Sequence, residues 1–498
     1  MTLAVATTVA TSAFAGGPMT NTNQSAHFLR SIARGTSLST DAVYTNPAGV
    51  VFMENGFHLG LSDQMAAQTR TITSTYAPFA MGVQNGGQAT KEFKGEVFSP
   101  VIPSVHFAWK HNRLAIMAGM GVNGGGGSLE FANGLGSFER QFSVLPGAIT
   151  ALGAQLGQIN PAMAVSANQY DMNMYLKGNS MTLAFNVGAA FRITDWLSIA
   201  AQVRYSSTSN GYEGYIKDIK INPTMAAMQL NGQLISASQF FTAAGQALGQ
   251  LNPALAQQAA VYAAQTADHI LDVKQKGSSI SPVVALAFHH GPWDASVKYE
   301  FKMKTELEIE SAEVSAKDPV INSIFADGSK VKAETPALLA AAVSRHFGPV
   351  KVTAQWHHYF DKNAKNSFTE NQWAKSSVGV SGIYDGYYCT IKGNTNEYML
   401  GVEWQISEKW LVSAGAQRTQ LNMNEEFYSD MNYSISSWSI AAGLKYQPCD
   451  LVGINLGIMP TLYDEAVTVG KASGVDFKDV YNRTSIAWGI GLDFKFGK

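Results

Sequence analysis

The residues of this chain that could carry chemistry are its sparse charges, and their spacing puts most of them on one side of extended segments. Lys110, Arg192, Arg204, Lys298, Lys302, Lys304, Lys351, Lys445 and Lys495 fall at alternate positions opposite bulky apolar residues, as do Glu300, Glu403 and Asp493. Enclosed together, such charges form a balanced network, because an unpaired buried charge is too costly. Arg204 and Lys298 are the two cations read as able to hold a carboxylate. Other chemistries are poorly served. His357-His358 looks like a ligand pair, but neighbours on a strand point to opposite faces, and His289-His290 falls at a turn. No serine occupies a G-x-S-x-G elbow, and no Cys/His spacing resembles a zinc site. The expectation is a non-enzyme with no metal and no cofactor.

The elements that must position these charges are strands. From Ser485 to Phe496 the even positions are Ile486, Trp488, Ile490, Leu492, Phe494 and Phe496, while Ala487, Gly489, Gly491, Asp493 and Lys495 lie between them. This period of two recurs about a dozen times, which is the signature of a transmembrane β-barrel. With 498 residues the chain is long enough for one large barrel. Its mean hydropathy of −0.04 fits, since lumen-facing residues dilute lipid-facing ones. No run of about 20 apolar residues reads as a spanning helix. Charged residues make up 14% of the chain with a net charge of −2, so nothing suggests a nucleic-acid partner.

Tight turns are expected at His111-Asn112, Thr194-Asp195, His290-Gly291-Pro292, Gly348-Pro349, Ser407-Glu408 and Pro448-Cys449-Asp450, where the residue types suit them. Long connections are expected near 73–95, 124–172, 218–272, 313–334, 362–394, 423–432 and 464–482. Six short turns alternating with seven long loops require about fourteen antiparallel strands, short turns periplasmic and long loops extracellular. Trp109, Trp196, Trp293, Trp404 and Trp410 cluster toward the short-turn end, as an interfacial girdle would. Residues 147–168 and 225–268 are helical in character, and each contains Asn-Pro, which predicts a helical hairpin in each loop. Leu145, Ile149, Leu152 and Leu156 form one apolar stripe; Phe240, Phe241, Leu248, Leu251 and Leu255 give the second loop its apolar face. These faces either pack on each other or form an extracellular groove for an apolar ligand, with Leu152, Leu156, Phe240, Phe241 and Leu248 as candidate contacts.

Residues 1–15 read as a cut-down signal peptide ending at Ala13-Phe14-Ala15, which places the protein in a Gram-negative outer membrane. Cys389 and Cys449 fall at opposite ends of the expected barrel and should stay unpaired. Residues 16–56 do not alternate, and a segment of this length ahead of a barrel (57–498) has a natural home in the lumen as a plug.

Within that segment, Ser39-Thr40-Asp41-Ala42-Val43-Tyr44-Thr45-Asn46-Pro47-Ala48-Gly49 resembles the hatch motif of the FadL family of outer-membrane transporters for long-chain fatty acids and other hydrophobic compounds. Asn46, Pro47 and Ala48 match the family's Asn-Pro-Ala, with Gly49 after them. Pro103-Ser104-Val105-His106-Phe107 resembles the family's second strand, and Gly121-Val122-Asn123-Gly124 sits where its third strand kinks inward. The chain departs from the family in its helical loops and in Gly497-Lys498 after the last aromatic. The resemblance implies an all-β barrel of about fourteen strands with an N-terminal lumenal hatch. It implies passive uptake of hydrophobic molecules, long-chain fatty acids foremost, through an extracellular groove, a lumen pocket and a lateral opening at Asn123, Gly124 and Gly125. Glycines there weaken a regular ladder. The implied partners are a hydrophobic small molecule and outer-membrane lipid, with the barrel monomeric. The alternatives are a general porin for small polar solutes, or a haem or surface-ligand receptor on the same barrel.

Overall fold

The computed structural model describes residues 21–249, 252–314, 328–365, 391–425, 428–431 and 433–497. The expected signal peptide and Cys389 lie outside the described residues. Alternation becomes fourteen antiparallel strands. They are β1 (Gly56–Tyr76), β2 (Thr90–His111), β3 (Leu114–Phe131), β4 (Tyr170–Arg192), β5 (Leu197–Ile221), β6 (His269–His290) and β7 (Trp293–Glu300, resuming at Glu306–Val314). There follow β8 (Leu338–Phe347), β9 (Val350–Tyr359), β10 (Thr395–Gln405), β11 (Trp410–Gln420), β12 (Ser437–Cys449), β13 (Val452–Tyr463, resuming at Ala466–Ala472) and β14 (Val475–Phe496). Each pairs with its sequence neighbour, and β1 closes on β14 from Phe57–Phe496 to Tyr76–Phe477. No edge is left, as a bilayer demands of a sheet.

All six tight turns occur where the residue types put them. The aromatic girdle is present at that end: Trp196, Trp293, Trp404 and Trp410 face outward, and Trp410 stacks on Tyr446 at 4.5 Å. Three expectations need correction. The stretch 464–482 is not a long loop but the top of a hairpin that turns at Ser473-Gly474. Both residues have positive φ (50° and 81°), the type I′ pattern whose twist matches the flanking strands. The first helical loop is not a hairpin about Asn160-Pro161. Helices α3 (Gly136–Ser143) and α4 (Leu145–Ile159) precede it, and only a 3-10 turn, Pro161–Met163, follows. The second loop is the expected hairpin: α5 (Ala237–Leu248) and α6 (Pro253–Gln265) pack together, and Asn252 caps α6 through Leu255 N–H. Lys304 does not face the lumen. It is exposed, on the stretch where β7 breaks, and there Met303 and Thr305 turn inward instead.

The wall is uneven in height. β8 to β11 have 10 or 11 residues, whereas β1, β2, β4, β5, β6 and β14 have 21 to 25. About ten tilted residues suffice to cross the apolar layer, so the second group stands well above it and carries the long loops.

After β9 a 3-10 turn, Asp361–Asn363, begins the next loop, and buried Asp361 accepts a hydrogen bond from Thr395 N–H at 2.8 Å, tying the loop's two ends. Burial pushes its carboxyl up to about 6. A raised acid is protonated more readily in the fold than in the unfolded chain, so its contribution to stability falls as pH rises from about 4 through 6. Asp361→Asn stays neutral throughout. The stability difference between this variant and wild type should grow by up to about 3 kcal/mol in the variant's favour from pH 4 to pH 7, measured by urea titration. A difference that does not change with pH would refute the assignment.

Candidate functional site

The ladder between β2 and β3 is interrupted. Pairs run from His111–Leu114 to Val105–Met120 and resume only at Val97–Leu129. The sequence explains the interruption on both sides. On β2, Ser99-Pro100-Val101-Ile102-Pro103 contains two prolines that cannot donate to a ladder, and β2 bulges there against β1, with Ser99 opposite Ala66 but Ile102 opposite Gln64. On β3, the glycine run bulges twice against β4, at Asn123 and Gly126. Residues 98–104 and 121–128 therefore face each other without strand pairing. Outside the gap, Phe98 and Val101 are 61% and 64% exposed toward lipid. Inside it, Ile102 and Val122 pack with Phe28, Leu29 and Ile32 of the N-terminal segment.

That segment supplies the hydrogen bonds the ladder lacks. Asn21 N–H donates to Asn123 O (2.9 Å), Asn21 Nδ2 to Val122 O (3.1 Å) and Gln24 Nε2 to Val122 O (2.8 Å). The Gln24 amide lies against Gly121, where a Cβ would have to push the end of this flexible side chain aside. Ser99 closes the upper edge through Gly126 O. Each such carbonyl left bare would cost about 1–3 kcal/mol. Asn123 itself is 1% exposed and points inward, where Tyr44 Oη donates to its Oδ1 at 2.9 Å.

From Asn21 to Val51 nearly every residue is buried, and the wall's inner side chains grip the segment all round. Helix α1 (Ala26–Arg30) lies against β12, β13 and β14, while Pro47–Phe52 lies against β4, β5 and β6 on the opposite side. Arg30 Nη2 and Arg34 Nη1 meet Glu403 Oε1 at 2.8 and 2.9 Å, and Arg34 also holds Asp41 at 2.8 Å. His27 and Thr40 bind Asp493. Gln202 donates to Val43 O (2.8 Å), Ser198 to Ala48 O (2.7 Å) and Lys351 to Thr36 O (2.9 Å). Asn46 Oδ1 accepts from Gly49 N–H at 3.2 Å, closing a turn three residues long, while its Nδ2 donates to Ser37 O at 3.1 Å. A Cβ on Gly49 would meet Asn46 Nδ2 at 2.2 Å, which explains the residue after the Asn-Pro-Ala match.

The two candidate carboxylate-holding cations sit together but are engaged. Arg204 and Lys298 both pack on the Tyr44 ring, at 4.8 and 4.7 Å, and both bind Glu300. Lys298 also donates to Tyr44 O at 2.9 Å. His357 points inward to Glu397 at 2.9 Å and His358 bonds Asn396. Among the described residues no group of three His, Cys, Asp or Glu could hold a metal. Cys449 is a free, exposed thiol.

Above this polar half the lumen is mostly apolar, with a few buried charges such as the Arg140–Asp479 pair at 2.7 Å. Inward residues such as Ile72, Phe93, Leu129, Leu176 and Val273 join Phe79, Phe138 and Phe142 in one buried cluster. The loop faces fold into it or beside it: Leu145, Ile149, Phe240 and Phe241 belong to the cluster, Leu156 and Leu248 are buried, and Leu152 is half-buried. The spacing of charges and aromatics pointed to these residues. It did not point to Asn21, Gln24, Tyr44, Pro100 or Ser99, whose role depends on contacts up to about a hundred residues away; the two strand prolines were the available cue.

No protein-family model matches the chain, and no curated protein matches it. Solved structures do. A FadL homologue from Pseudomonas aeruginosa aligns over 97% of this chain and all of its own length, at 12% identity and a TM-score of 0.61. The Pseudomonas putida toluene transporter TodX aligns over 98% of this chain and all of its own, at 14% identity and a TM-score of 0.54. The fold is that of the FadL-type fourteen-stranded barrels.

One position tests how the N-terminal segment is seated. Gly457 on β13 has no room for a side chain: a Cβ there would lie 2.5 Å from Arg30 N. Gly457→Leu should leave the barrel folded, since its backbone bonds close on themselves, but should dislodge α1. The expected result is new leakage of small polar solutes at unchanged heat-modifiable mobility. Wild-type tightness in this variant would mean that the segment does not seal the lumen.

Proposed function

We propose that this chain is an outer-membrane channel of the FadL type in a Gram-negative bacterium, a monomer with residues 16–56 as its hatch and 57–498 as its barrel. It takes up hydrophobic molecules by passive diffusion, long-chain fatty acids foremost, and catalyses no reaction. The observation that carries this reading is the gap between β2 and β3, which has apolar side chains on both its lumenal and its lipid side. Cargo would land on the loop faces that carry Leu152, Leu156, Phe240, Phe241 and Leu248, replace side-chain contacts within the upper apolar cluster, and reach Ile102 and Val122 without crossing the polar half. It would leave sideways at Asn123, Gly124 and Gly125, once Asn21 and Gln24 release the carbonyls they cover. A fatty carboxylate at Arg204 and Lys298 would have to compete with Glu300 for both cations. The hatch motif Asn46-Pro47-Ala48-Gly49 would set where Tyr44 stands and so couple that site to Asn123. A general porin is disfavoured by the segment filling the lumen. The toluene transport named for TodX makes a monoaromatic hydrocarbon the second cargo to test.

Stapling the gap tests the route. A Cβ on Gly121 would lie 3.6 Å from Ser104 Cβ, inside the disulfide window of roughly 3.5–4.5 Å, and one on Gly127 would lie 2.7 Å from Ser99 Oγ. Ser104→Cys/Gly121→Cys together with Ser99→Cys/Gly127→Cys, in a Cys389→Ser/Cys449→Ser background, fixes both edges. Oxidised cells should take up labelled oleate and toluene several-fold more slowly, with recovery on reduction. Full uptake with both staples formed would sink the lateral route. Absence of oleate and toluene uptake in the wild type would sink the transport reading itself.

A further inference from the structure

On the outer face, well above the lipid-facing band, lies a cavity of about 530 Å³, within the roughly 300–1,000 Å³ of small-molecule sites. It forms where β3 ends and leaves the edge of β4 uncovered: the β3–β4 ladder stops at Phe131–Leu176. Gln84, Asn133, Asn173, Tyr215 and Lys217 line it, with Met172 and Met174 on its inner side. Its acids are in use. Asp218 accepts from Asn173 at 2.9 Å, and Asp171 nearby accepts from Gln84 at 2.7 Å. Lys91, also on the cavity, is held by Glu139 at 2.8 Å. Lys217 is different. Its ammonium rests 4.9 Å over the Tyr215 ring and forms no ion pair among the described residues. The Tyr215 ring is stacked in turn on its register partner Tyr175 at 5.5 Å. A cation on an exposed aromatic face is held more weakly than by a charge-assisted hydrogen bond, so an anion reaching the cavity would take Lys217 from the ring.

We propose that this cavity binds a negatively charged sugar, namely the phosphorylated or carboxylated core saccharide of the lipopolysaccharide around the barrel. The inference rests on the outer-membrane placement proposed above. Height selects a sugar over a fatty acid. The outward apolar run on β4 ends at Met181, whose partner is Ser209. Tyr215 stands six residues farther up, about 20 Å along the strand and roughly 15 Å above the band once strand tilt is included. Acyl chains do not reach that level, whereas glycolipid head groups do. Asn133, whose side chain has no partner among the described residues, and the Tyr215 hydroxyl offer hydrogen bonds to sugar hydroxyls.

The test uses the purified barrel in neutral detergent. Lipopolysaccharide with a phosphorylated inner core should bind about tenfold more tightly than lipid A lacking core sugars, the size of one charge-assisted hydrogen bond. Lys217→Gln should abolish that difference. Lys276→Gln, which alters an outward lysine paired with Glu310 at 2.7 Å, should leave it intact. Free phosphorylated core oligosaccharide should bind wild type and not Lys217→Gln. Equal affinity for the two glycolipids, or an undiminished preference in Lys217→Gln, overturns the proposal. So does an equal loss in Lys276→Gln, which would reduce the effect to general charge. Displacement of the core oligosaccharide by oleate would also overturn it by assigning Lys217 to cargo. Uptake of oleate should be the same in Lys217→Gln and wild type, and failure of the wild type to transport oleate would count against the channel reading and not against this site.

Discussion

Every backbone N–H and C=O at membrane depth must find a partner inside the protein, and the rest of this structure follows from how that demand is met at one place. Among the described residues most of the fourteen interfaces around the barrel keep their strand ladders; between β6 and β7 pairing also lapses, from Val283–Glu300 to Lys276–Glu308, where β7 breaks. Between β2 and β3 the ladder fails in the middle of the wall. Two prolines on one strand and a run of glycines on the other make a regular ladder there unattainable. The carbonyls of Val122 and Asn123 are then satisfied by Asn21 and Gln24 of a segment that is not part of the sheet. The wall is complete only while that segment is in place, so its position and the state of the gap are one variable.

This explains why the lower lumen is so densely charged. A segment that must hold an amide within hydrogen-bond reach of a wall carbonyl has to be fixed to a few tenths of an ångström. Apolar contacts alone are non-directional. Bidentate and charge-assisted bonds fix orientation as well as distance, and they appear where the segment meets the wall: Arg30 and Arg34 on Glu403, His27 and Thr40 on Asp493, Lys298 on the Tyr44 carbonyl. Buried ion pairs of this kind are weak evidence for stability; their use here is registration. The upper lumen, away from that segment, is mostly apolar and holds only a few buried charges, the Arg140–Asp479 pair among them.

What could be read from the sequence follows the range of the interactions involved. Alternation and turn chemistry are local, and they located all six short turns, the strand number and the inward set of charges apart from Lys304. That exception is itself local: β7 breaks after Glu300, and the period of two does not carry across the break. The hairpin at Ser473-Gly474 was hidden because both of its faces are mixed: Val467 and Val469 point outward with Lys471 and Lys478, while Thr468 and Asp479 are buried, so the contrast between faces fades. The first helical loop failed as a hairpin because Asn160-Pro161 ends α4 equally well before a single 3-10 turn. The contacts that make the site, such as Asn21 to Val122 and Tyr44 to Asn123, join residues 79 to 101 apart. No pattern along the chain encodes them.

The placement of Tyr44 joins the two halves of this account. Its hydroxyl holds Asn123 at the gap, its ring carries Arg204 and Lys298 against it, and its carbonyl accepts from Lys298. Glu300 neutralises both cations while the ring is there. On the proposed reading, a carboxylate that drew Arg204 or Lys298 away from Glu300 would shift the charges packed on the ring and so act on the hydrogen bond from its hydroxyl to Asn123 Oδ1. On the proposed lateral route the same residue would link the two places: a change at the cation pair would act on the gap, and an opening of the gap would act on the cation pair. Such coupling would need no large motion, because the hydrogen bond that reports it sits where β2 and β3 have no ladder between them.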